Sequence, residues 1–390
     1  MTASTSSSLW VGTYPAAGTA PGSGEGIWDV PIDADGRLGP ARLVVTAAAP
    51  SFLALHPSGR TLYAVSETAA GSLTAFQAGH DDGASLTVSG SLASGGDDPC
   101  HVLAGKTAVW VANYGDGVAA SVAVDPTTGD LAADGVTTRP GAGDGPVADR
   151  QAGPHAHFVA VVADTVLVSD LGADLLRRYP AGSEPEVTEP EAPGDGVAAH
   201  LPPGTGPRHL VALPDGSLAV VGELDARIHV LTRDGAGWVP SSSTPVCAGA
   251  QAGTDFPAHV TLSDDGTRLH VGVRGSDVLA VHRVHAGDGG PPTLEHVADV
   301  PLGDGAWPRH HAVVHPAADP AADPAADPAA DPAVDHAVGA GGWSPAVELV
   351  VVALQGTSEL VSVRLDVPAG TGEVVARSPM PTPPACVLES

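Results

Sequence analysis

The chain has 390 residues and a formal net charge of −28 at pH 7. A surface of that sign repels nucleic acid and anionic membranes, which bind clustered Lys and Arg, so we expect neither as a partner. Gly (49 residues) and Pro (37 residues) are abundant, only 4% of residues are aromatic and 43% are hydrophobic, which excludes wholesale disorder and favours short strands joined by tight turns.

The N-terminal stretch, residues 1–9, is rich in Ser and Thr and has neither the basic region nor the apolar segment of a signal peptide. No apolar run approaches the length that crosses a bilayer. The cysteines Cys100, Cys247 and Cys386 are widely spaced and form no CxxC pair, which argues against a disulfide framework or a zinc site. We therefore expect a cytoplasmic protein without a metal.

A proline-led motif recurs along the chain. In each copy a proline precedes one or more polar or small residues and then a short apolar run, and the copies begin at Pro50, Pro99, Pro154, Pro207, Pro257, Pro308 and Pro384. The spacing is mostly about 50 residues, a period that indicates a repeat architecture built from one supersecondary unit.

Each copy predicts the same four antiparallel strands. The first follows the proline, and a Pro-, Asp- or Gly-containing turn such as residues 214–216 leads to an apolar second strand. Second strands are predicted at residues 62–66, 109–112, 166–169, 218–222, 269–273 and 349–354. Third strands are predicted at residues 72–77, 119–125, 175–179, 227–232, 277–283 and 359–366. A more polar fourth strand, as at 86–92 or 295–300, suits the exposed edge of a propeller blade.

The two ends of the chain carry complementary parts of one repeat. The N-terminal part predicts a second, third and fourth strand at residues 9–13, 26–32 and 42–46, without a first strand. The C-terminal part ends on an unpartnered first strand at residues 385–388. Joining them completes a seventh blade. We predict an all-β fold, a seven-bladed β-propeller closed by its C-terminal strand, in a single domain over residues 1–390.

A low-complexity insertion lengthens the last repeat. Residues 317–332 are four tandem Ala-Ala-Asp-Pro units, and the insertion extends to about residue 336. A proline at every fourth position excludes a helix, so we predict a disordered insertion between the first and second strands of that blade.

In an antiparallel blade the start of the first strand and the end of the second lie at the same rim, so the residues there converge on one mouth of the central channel. Two long connections, residues 138–153 and 181–206, open onto this mouth and can cover it. The first-strand column predicted there reads Phe52, His101, His157, His209, His259, His311 (or His310) and Cys386. The second-strand ends are Thr13, Glu67, Asn113, Asp170, Glu223, Arg274 and Gln355, and Arg208 and Arg309 precede two of the histidines. A repeated histidine can equally be a structural hydrogen-bonding residue, and Glu67 and Asp170 can tie down backbone N–H groups.

Several motifs in this order resemble the β-propeller lactonase family, which includes the propeller type of 6-phosphogluconolactonase and the fungal carboxymuconate-cyclising enzyme. They are Val-Gly-Thr-Tyr at 11–14, Gln-Ala-Gly-Pro-His-Ala-His at 151–157, Gly-Pro-Arg-His at 206–209, Gly-Glu-Leu at 222–224 and Val-Arg-Gly-Ser-Asp at 273–277. By these motifs the family's active-site set falls on His157, Arg208, Glu223 and Arg274. Gly222 and Val273 stand where relatives commonly have Asn, which bears on the substrate more than on the fold.

The resemblance implies hydrolysis of a small anionic or sugar lactone, 6-phosphogluconolactone foremost, without a cofactor. His157 or Glu223 would activate water, and Arg208 and Arg274 would hold the oxyanion or an anionic substituent. Arg309 is the nearest cation for a phosphate. The predicted substrate-binding residues are His101, His209, His259, Arg309, Glu67 and Asp170.

Other interpretations of the same residues stay open. The protein could be a lactonase or lactone-forming cyclase acting on another carboxylated substrate, or a non-catalytic propeller that binds a ligand or a protein. A serine nucleophile is unsupported because the chain has no GxSxG elbow. A monomer or a weak homo-oligomer is expected.

Overall fold

The computed structural model describes residues 7–79, 85–133, 135–180, 196–287, 289–315, 347–366 and 368–390. Over these ranges the chain forms 28 β-strands, which hydrogen-bond as seven four-stranded antiparallel sheets. The seven-bladed all-β architecture predicted from the repeat is therefore confirmed.

The strands are numbered in chain order, and each sheet is called a blade. Blade 1 contains β1 (Ser7–Thr13), β2 (Gly26–Ile32) and β3 (Arg42–Thr46). Blade 2 contains β4 (Pro50–Leu55), β5 (Thr61–Ser66), β6 (Ser72–Ala78) and β7 (Leu86–Ala93). Blade 3 contains β8 (Pro99–Ala104), β9 (Ala108–Asn113), β10 (Ala119–Ala123) and β11 (Thr137–Arg139). Blade 4 contains β12 (Ala156–Val162), β13 (Thr165–Asp170), β14 (Leu175–Pro180) and β15 (Val197–His200).

The remaining strands complete the ring. Blade 5 contains β16 (Pro207–Ala212), β17 (Leu218–Gly222), β18 (Arg227–Asp234) and β19 (Gly237–Pro245). Blade 6 contains β20 (Phe256–Leu262), β21 (Arg268–Arg274), β22 (Val278–His285) and β23 (Thr293–Pro301). Blade 7 contains β24 (Pro308–Val314), β25 (Val347–Leu354), β26 (Glu359–Asp366) and β27 (Thr371–Pro379). The last strand, β28 (Pro384–Glu389), joins blade 1. The strands predicted from sequence agree with these bounds to within about two residues.

The ring closes where the sequence predicted. β28 pairs antiparallel with β1, from Leu9 opposite Glu389 to Thr13 opposite Pro384, so the order of the sheet is β28-β1-β2-β3. The first strands of the seven blades contact one another in cyclic order, with β28 between β24 and β4. These strands therefore surround the centre of the molecule, as the inner strands of a propeller do.

The hydrophobic core lies between the faces of neighbouring blades. Val11 and Val387 of blade 1, for example, pack in one cluster with Val351 and Leu360 of blade 7. Because each such cluster draws buried side chains from two adjacent sheets, a blade without its neighbours would expose its apolar faces. The second strands, buried on both faces, are accordingly almost wholly apolar, as in β17.

The insertion predicted at residues 317–336 lies outside the described residues, between β24 and β25. The long connection 181–206 is described only from residue 196. In the part of the chain that the structure describes, no helix is long and apolar enough to cross a membrane.

Candidate active site

A β-bulge near the start of every first strand aims the side chains of the site. In β8, Pro99 pairs with Asn113 and His101 with Ala112, so that Cys100 has no partner in the ladder. The other first strands skip one or two residues at the same place. The bulged residues, called the bulge layer, are Ser51, Cys100, His157, Arg208, Ala258, Arg309 and Ala385. Bulges commonly re-aim a side chain beside an active site.

This register corrects the alignment expected from sequence. Ala156 pairs with Asp170 and Phe158 with Ser169, so His157 belongs to the bulge layer and does not align with His101. The reason is that β12 starts two residues after its proline, whereas the other first strands that begin with this motif start at or next to theirs. The residues that follow the bulge, called the imidazole layer, are Phe52, His101, Phe158, His209, His259, His310 and Cys386.

Glu223 follows β17 and lies at the centre of a cluster of guanidinium groups. Its Oε2 is 2.7 Å from Nη2 of Arg274 and 2.9 Å from Nε of Arg208, and its Oε1 is 2.6 Å from Nη2 of Arg150. Arg274 and Arg150 donate hydrogen bonds, whereas the Arg208 Nε–H is not aligned for one and forms an ion pair only. The Glu223 side chain is 5% exposed, so these charges interact with little screening by water.

Backbone carbonyls fix two of the three arginines. Arg208 Nη1 donates to the carbonyl of Ala258, and Arg274 Nε donates to the carbonyl of Phe256 at 3.0 Å. Arg150 comes from the connection between β11 and β12 and is the most exposed of the three, with 31% of its side chain accessible. The first two guanidinium groups are therefore held in place before any ligand arrives.

Burial and neighbouring charges set the ionisation of the cluster. Burial raises the pKa of the Glu223 carboxyl, but Arg274 and Arg208 outweigh it, and the pKa lies well below its ordinary value. Burial, followed by repulsion from Arg274 and Arg309, lowers the pKa of Arg208 to about 9, which still leaves the guanidinium charged at neutral pH. The cluster thus holds a carboxylate and charged guanidinium groups at pH 7.

His157 lies beside this cluster as a neutral imidazole. Burial lowers its pKa well below the ordinary value of 6.5, Arg208 lowers it further and Glu223 partly opposes the shift. Its Nδ1 is 3.8 Å from Sγ of Cys100, and the ring lies edge-on to Tyr114 with centroids 5.5 Å apart. An imidazole that is neutral at pH 7 has a lone pair available to accept a proton.

A second ion pair lies at the same mouth. Arg309 Nη2 is 3.4 Å from both carboxylate oxygens of Glu67, and the Tyr14 hydroxyl donates to Glu67 Oε2 at 2.6 Å. The Arg309 guanidinium also lies over the Tyr14 ring at 4.9 Å. Burial lowers the pKa of the Arg309 guanidinium, but Tyr14 and Glu67 outweigh this effect, and the pKa lies above its ordinary value. The long N–O distances leave this guanidinium less firmly held than Arg274.

A small space links the two clusters. Its volume is about 10 Å³, room for about one water. Residues of the bulge and imidazole layers line it: Ser51, Phe52, Cys100, Arg208, His209, Arg309, His310 and Ala385. Arg208 and Arg309 therefore face one common space.

The imidazole layer lies beneath, and its histidines bond neighbouring blades to one another. His101 Nδ1 accepts from the Val159 N–H at 3.3 Å, and His209 Nδ1 is 2.7 Å from His259 Nδ1. Burial lowers the pKa of His101, His209 and His259 well below 6.5. These three predicted binding residues are at most 8% exposed, and hydrogen bonds between blades suit a structural role.

His310, not His311, takes the seventh blade's place in this layer. Its ring stacks on His259 with centroids 4.0 Å apart, and burial lowers its pKa to about 3. His311 lies 3.0 Å from the Thr261 hydroxyl through its Nε2. The sequence column had left the choice between the two open.

Of the two carboxylates predicted to bind substrate, Asp170 is the one that has a structural role. It is fully buried, and its Oδ1 accepts from the N–H groups of His155 at 2.8 Å and Ala173 at 3.2 Å. Its Oδ2 forms an ion pair with Arg177 at 3.2 Å. Both oxygens are thereby engaged in holding the connections around β13.

The sequence does not single out Arg150 or Tyr114, and it indicates Tyr14 only as part of a motif. Arg150 lies in the 138–153 connection, for which covering the mouth was predicted without naming a residue. Its Nη2 is also 3.4 Å from the Tyr114 hydroxyl, and Tyr114 stacks on His155 with centroids 4.5 Å apart. The position of Arg150 one residue before the Gln-Ala-Gly-Pro-His-Ala-His motif was the only available signal.

Metal-ligating side chains are not grouped within the described ranges. There, no three His, Cys, Asp or Glu side chains are placed so that they could hold a metal ion. Cys100, Cys247 and Cys386 are buried free thiols, and burial raises the pKa of Cys100 beyond its ordinary range. A thiol of that kind is a poor nucleophile.

The closed ring of blades, with a mouth of ion-paired arginines and a neutral histidine, defines a β-propeller with a charged, largely buried polar cluster at one mouth. The family model described as "Lactonase, 7-bladed beta-propeller" matches residues 8–316, and the chain belongs to that family. The family predicted from the sequence motifs is therefore confirmed.

Individual relatives are distant. The chain is 29% identical over 195 residues to a protein of Arthroderma benhamiae named "Probable 6-phosphogluconolactonase", a match that spans about half of each chain (48% and 47%). Among solved structures it is similar to a "putative 6-phosphogluconolactonase" of Bacteroides fragilis, with a TM-score of 0.77, 20% identity and coverage of 100% and 99%. A periplasmic gluconolactonase of Pseudomonas aeruginosa gives a TM-score of 0.78 with 23% identity and coverage of 98% and 99%. At these identities the two structures establish the fold.

Proposed function

We propose that this protein hydrolyses a sugar lactone to the aldonic acid, with 6-phosphogluconolactone as the substrate. The observation that carries the proposal is a surplus of positive charge at the mouth. Within the described residues, Arg150, Arg208, Arg274 and Arg309 form their ion pairs with only two carboxylates, Glu223 and Glu67, in a chain whose net charge is −28. A concave site of that sign favours an anionic ligand and an oxyanion.

The base in this proposal is His157. A general base needs a lone pair that is free to accept a proton. Both oxygens of Glu223 are ion-paired with arginines, so their lone pairs are already engaged. The imidazole of His157 is neutral at pH 7. Glu223 instead acts by holding Arg208 and Arg274 in position.

The reaction then follows in two proton-balanced steps. His157 takes a proton from a water as the water oxygen attacks the lactone carbonyl, and the carbonyl oxygen becomes an oxyanion that Arg208 and Arg274 stabilise. When the tetrahedral intermediate collapses, the bond to the ring oxygen breaks. The imidazolium returns its proton to that oxygen, which becomes the hydroxyl of the open-chain acid. No covalent enzyme intermediate forms.

Arg309 is assigned to the phosphate. Its side chain is 19% exposed at the mouth, and its contacts to Glu67 are long enough for a phosphate to compete with them. A planar guanidinium suits bidentate binding of a phosphate. With this substrate the enzyme would act in the cytoplasm, in carbohydrate metabolism through the pentose phosphate pathway.

The test is a lactone panel measured above the spontaneous rate of hydrolysis. Glucono-δ-lactone and its 6-phosphate would be compared, with an unsaturated carboxylated lactone as the third substrate. We expect the phosphorylated lactone to have the highest kcat/KM and His157→Ala to lose about 10²–10⁴-fold in kcat. Arg309→Met should remove the preference for phosphate. Its matched control is Arg364→Met, because Arg364 bonds the carbonyl of Asp35 in an exposed contact.

Two results would overturn the proposal. No turnover of any lactone, by protein whose melting shows it to be folded, would exclude hydrolysis. Preference for the unsaturated carboxylated lactone would indicate a substrate like that of the carboxymuconate-cyclising enzyme. An Arg309→Met variant that still prefers the phosphorylated lactone would refute the assignment of that residue alone.

A further inference from the structure

Trp307 is unusual among the aromatic residues of this chain. It precedes β24 at the mouth and is 37% exposed. Across the ranges that the structure describes, every other Trp, Tyr and Phe is buried or half-buried. Exposing an indole costs hydrophobic free energy, so a lone exposed tryptophan beside a polar cluster suggests that something covers it at times.

The backbone of Trp307 makes its presence more surprising. In four of the seven blades, the residue before the proline of the first strand has a left-handed backbone conformation. Trp307 is one of these four residues, and the others are Ala49 (φ 41°), Asp98 (φ 48°) and Gly206 (φ 58°). Trp307 has φ 49°. A bulky side chain in this conformation is strained, and such outliers cluster at functional sites. The fold needs the turn, but it does not need an indole there.

Neighbouring contacts hold the turn in place. The Trp307 N–H donates to Asp277 Oδ1 at 2.8 Å, and its carbonyl accepts from the Gln355 N–H at 3.2 Å. Gly356 lies so close that an added Cβ would come within 3.0 Å of the Trp307 Cβ. The indole is thus attached to a rigid base.

The indole lies beside the candidate catalytic cluster. The guanidinium of Arg274 is 5.6 Å from its ring centroid, and the Phe256 ring is tilted against it at 6.1 Å. Arg274 in turn donates to Glu223. An aromatic face therefore adjoins the groups to which the carbonyl of the substrate is assigned.

We propose that Trp307 is a platform that stacks against the ring of the sugar lactone while Arg274 and Arg208 bind its carbonyl. A saturated sugar ring presents a face of C–H bonds, which carry slight positive charge, and the indole face carries the negative end of its quadrupole. The inference rests on the proposed function and specifies its substrate, a cyclic hexonolactone with an accessible C–H face.

The experiment measures binding without turnover. The probe is D-glucono-δ-lactam, an uncleaved ring of the same shape, titrated by calorimetry against wild type, Trp307→Phe and Trp307→Leu. Val239→Ala is the matched surface control, because Val239 is 44% exposed on β19, the outer strand of blade 5. Melting temperatures of all variants confirm that the blades are intact.

We expect Trp307→Leu to weaken lactam binding on the order of 10-fold and Trp307→Phe to recover most of that loss. With glucono-δ-lactone the loss should appear in KM, with kcat nearly unchanged, because the platform binds the ring without contacting the reacting atoms. Open-chain gluconate, which binds the arginines but has no ring, should lose little. Val239→Ala should bind as wild type does. Lactam should also change the tryptophan fluorescence of wild type more than that of Trp307→Phe.

The two proposals fail separately. Wild type that turns over no lactone but loses lactam affinity in Trp307→Leu would overturn the hydrolase and support the platform. Wild type that turns over lactones while Trp307→Leu binds lactam equally well would overturn the platform alone. If Trp307→Leu unfolds, a lactam-induced fluorescence change in Trp307→Phe as large as that in Val239→Ala would overturn the platform, since the responding tryptophan would then lie elsewhere.

Discussion

Replacing Glu223 by Gln should cost both activity and stability, since the same carboxylate orders the arginines and neutralises them. The substitution leaves Arg208 and Arg274, whose side chains are 2% and 8% exposed, without their counter-charge. Removing one partner of a buried ion pair typically costs about 3–5 kcal/mol. We therefore expect the free energy of unfolding to fall by about that amount and kcat to fall by about 10²-fold or more.

The matched control for that experiment is Glu67→Gln. Glu67 is 21% exposed and meets Arg309 at 3.4 Å, so its loss should cost only about 1 kcal/mol. Urea unfolding curves at pH 7.5 measure both variants, and initial rates on the preferred lactone measure turnover. If Glu223→Gln unfolds at the same urea concentration as wild type, the arginines are not held by this carboxylate. If it is as stable as Glu67→Gln but inactive, Glu223 acts in proton transfer and His157 must be reassigned.

Three further predictions concern charge and closure. Because burial lowers the pKa of the imidazole-layer histidines below 6.5, the unfolded chain binds protons that the folded chain cannot. The free energy of unfolding should therefore be highest above about pH 6.5 and should fall below that pH by up to about 1.4 kcal/mol per histidine and pH unit. Thermal melts from pH 8 to pH 5 measure this, and a flat profile would contradict it. Arg208→Lys and Arg274→Lys keep the charge but lose the planar fork, so kcat/KM should fall about 10²-fold, and near-wild-type values would refute the oxyanion role. Deleting residues 384–390 removes β28 and leaves the edge of β1 unpaired, so cooperative melting should be lost, and an unchanged transition would refute closure.

The blades were predictable because their signals are local. A proline, a turn and alternating apolar residues fix each strand within its own repeat, which is why β2 and β3 begin and end where the sequence placed them. Closure was predictable for a different reason, namely the complementary fragments at residues 9–46 and 385–388. Neither inference required knowledge of side-chain contacts between blades.

The site was predictable only where its residues recur at a fixed place in the repeat. Arg208, Glu223 and Arg274 stand at strand ends, and the structure brings both arginines within ion-pair distance of Glu223. Arg150 stands in a connection without periodic structure, so no pattern indicated that it would reach Glu223. The bulge that separates His157 from His101 depends on how the strands pair, and pairing register is not visible in one strand alone.

Ring closure by β28 has a kinetic consequence. Pairs such as Leu9 with Glu389 join segments separated by nearly the whole chain, whereas every other blade is assembled from strands consecutive in sequence. Entropy opposes such a long-range contact, although the penalty rises only slowly with loop length. Folding dominated by non-local strand pairing is slow, and exposed strand edges invite aggregation in the meantime. During refolding, blades 2 to 7 can form while blade 1 waits for its first strand, so the unpaired edge of β1 would be the surface that most needs protection.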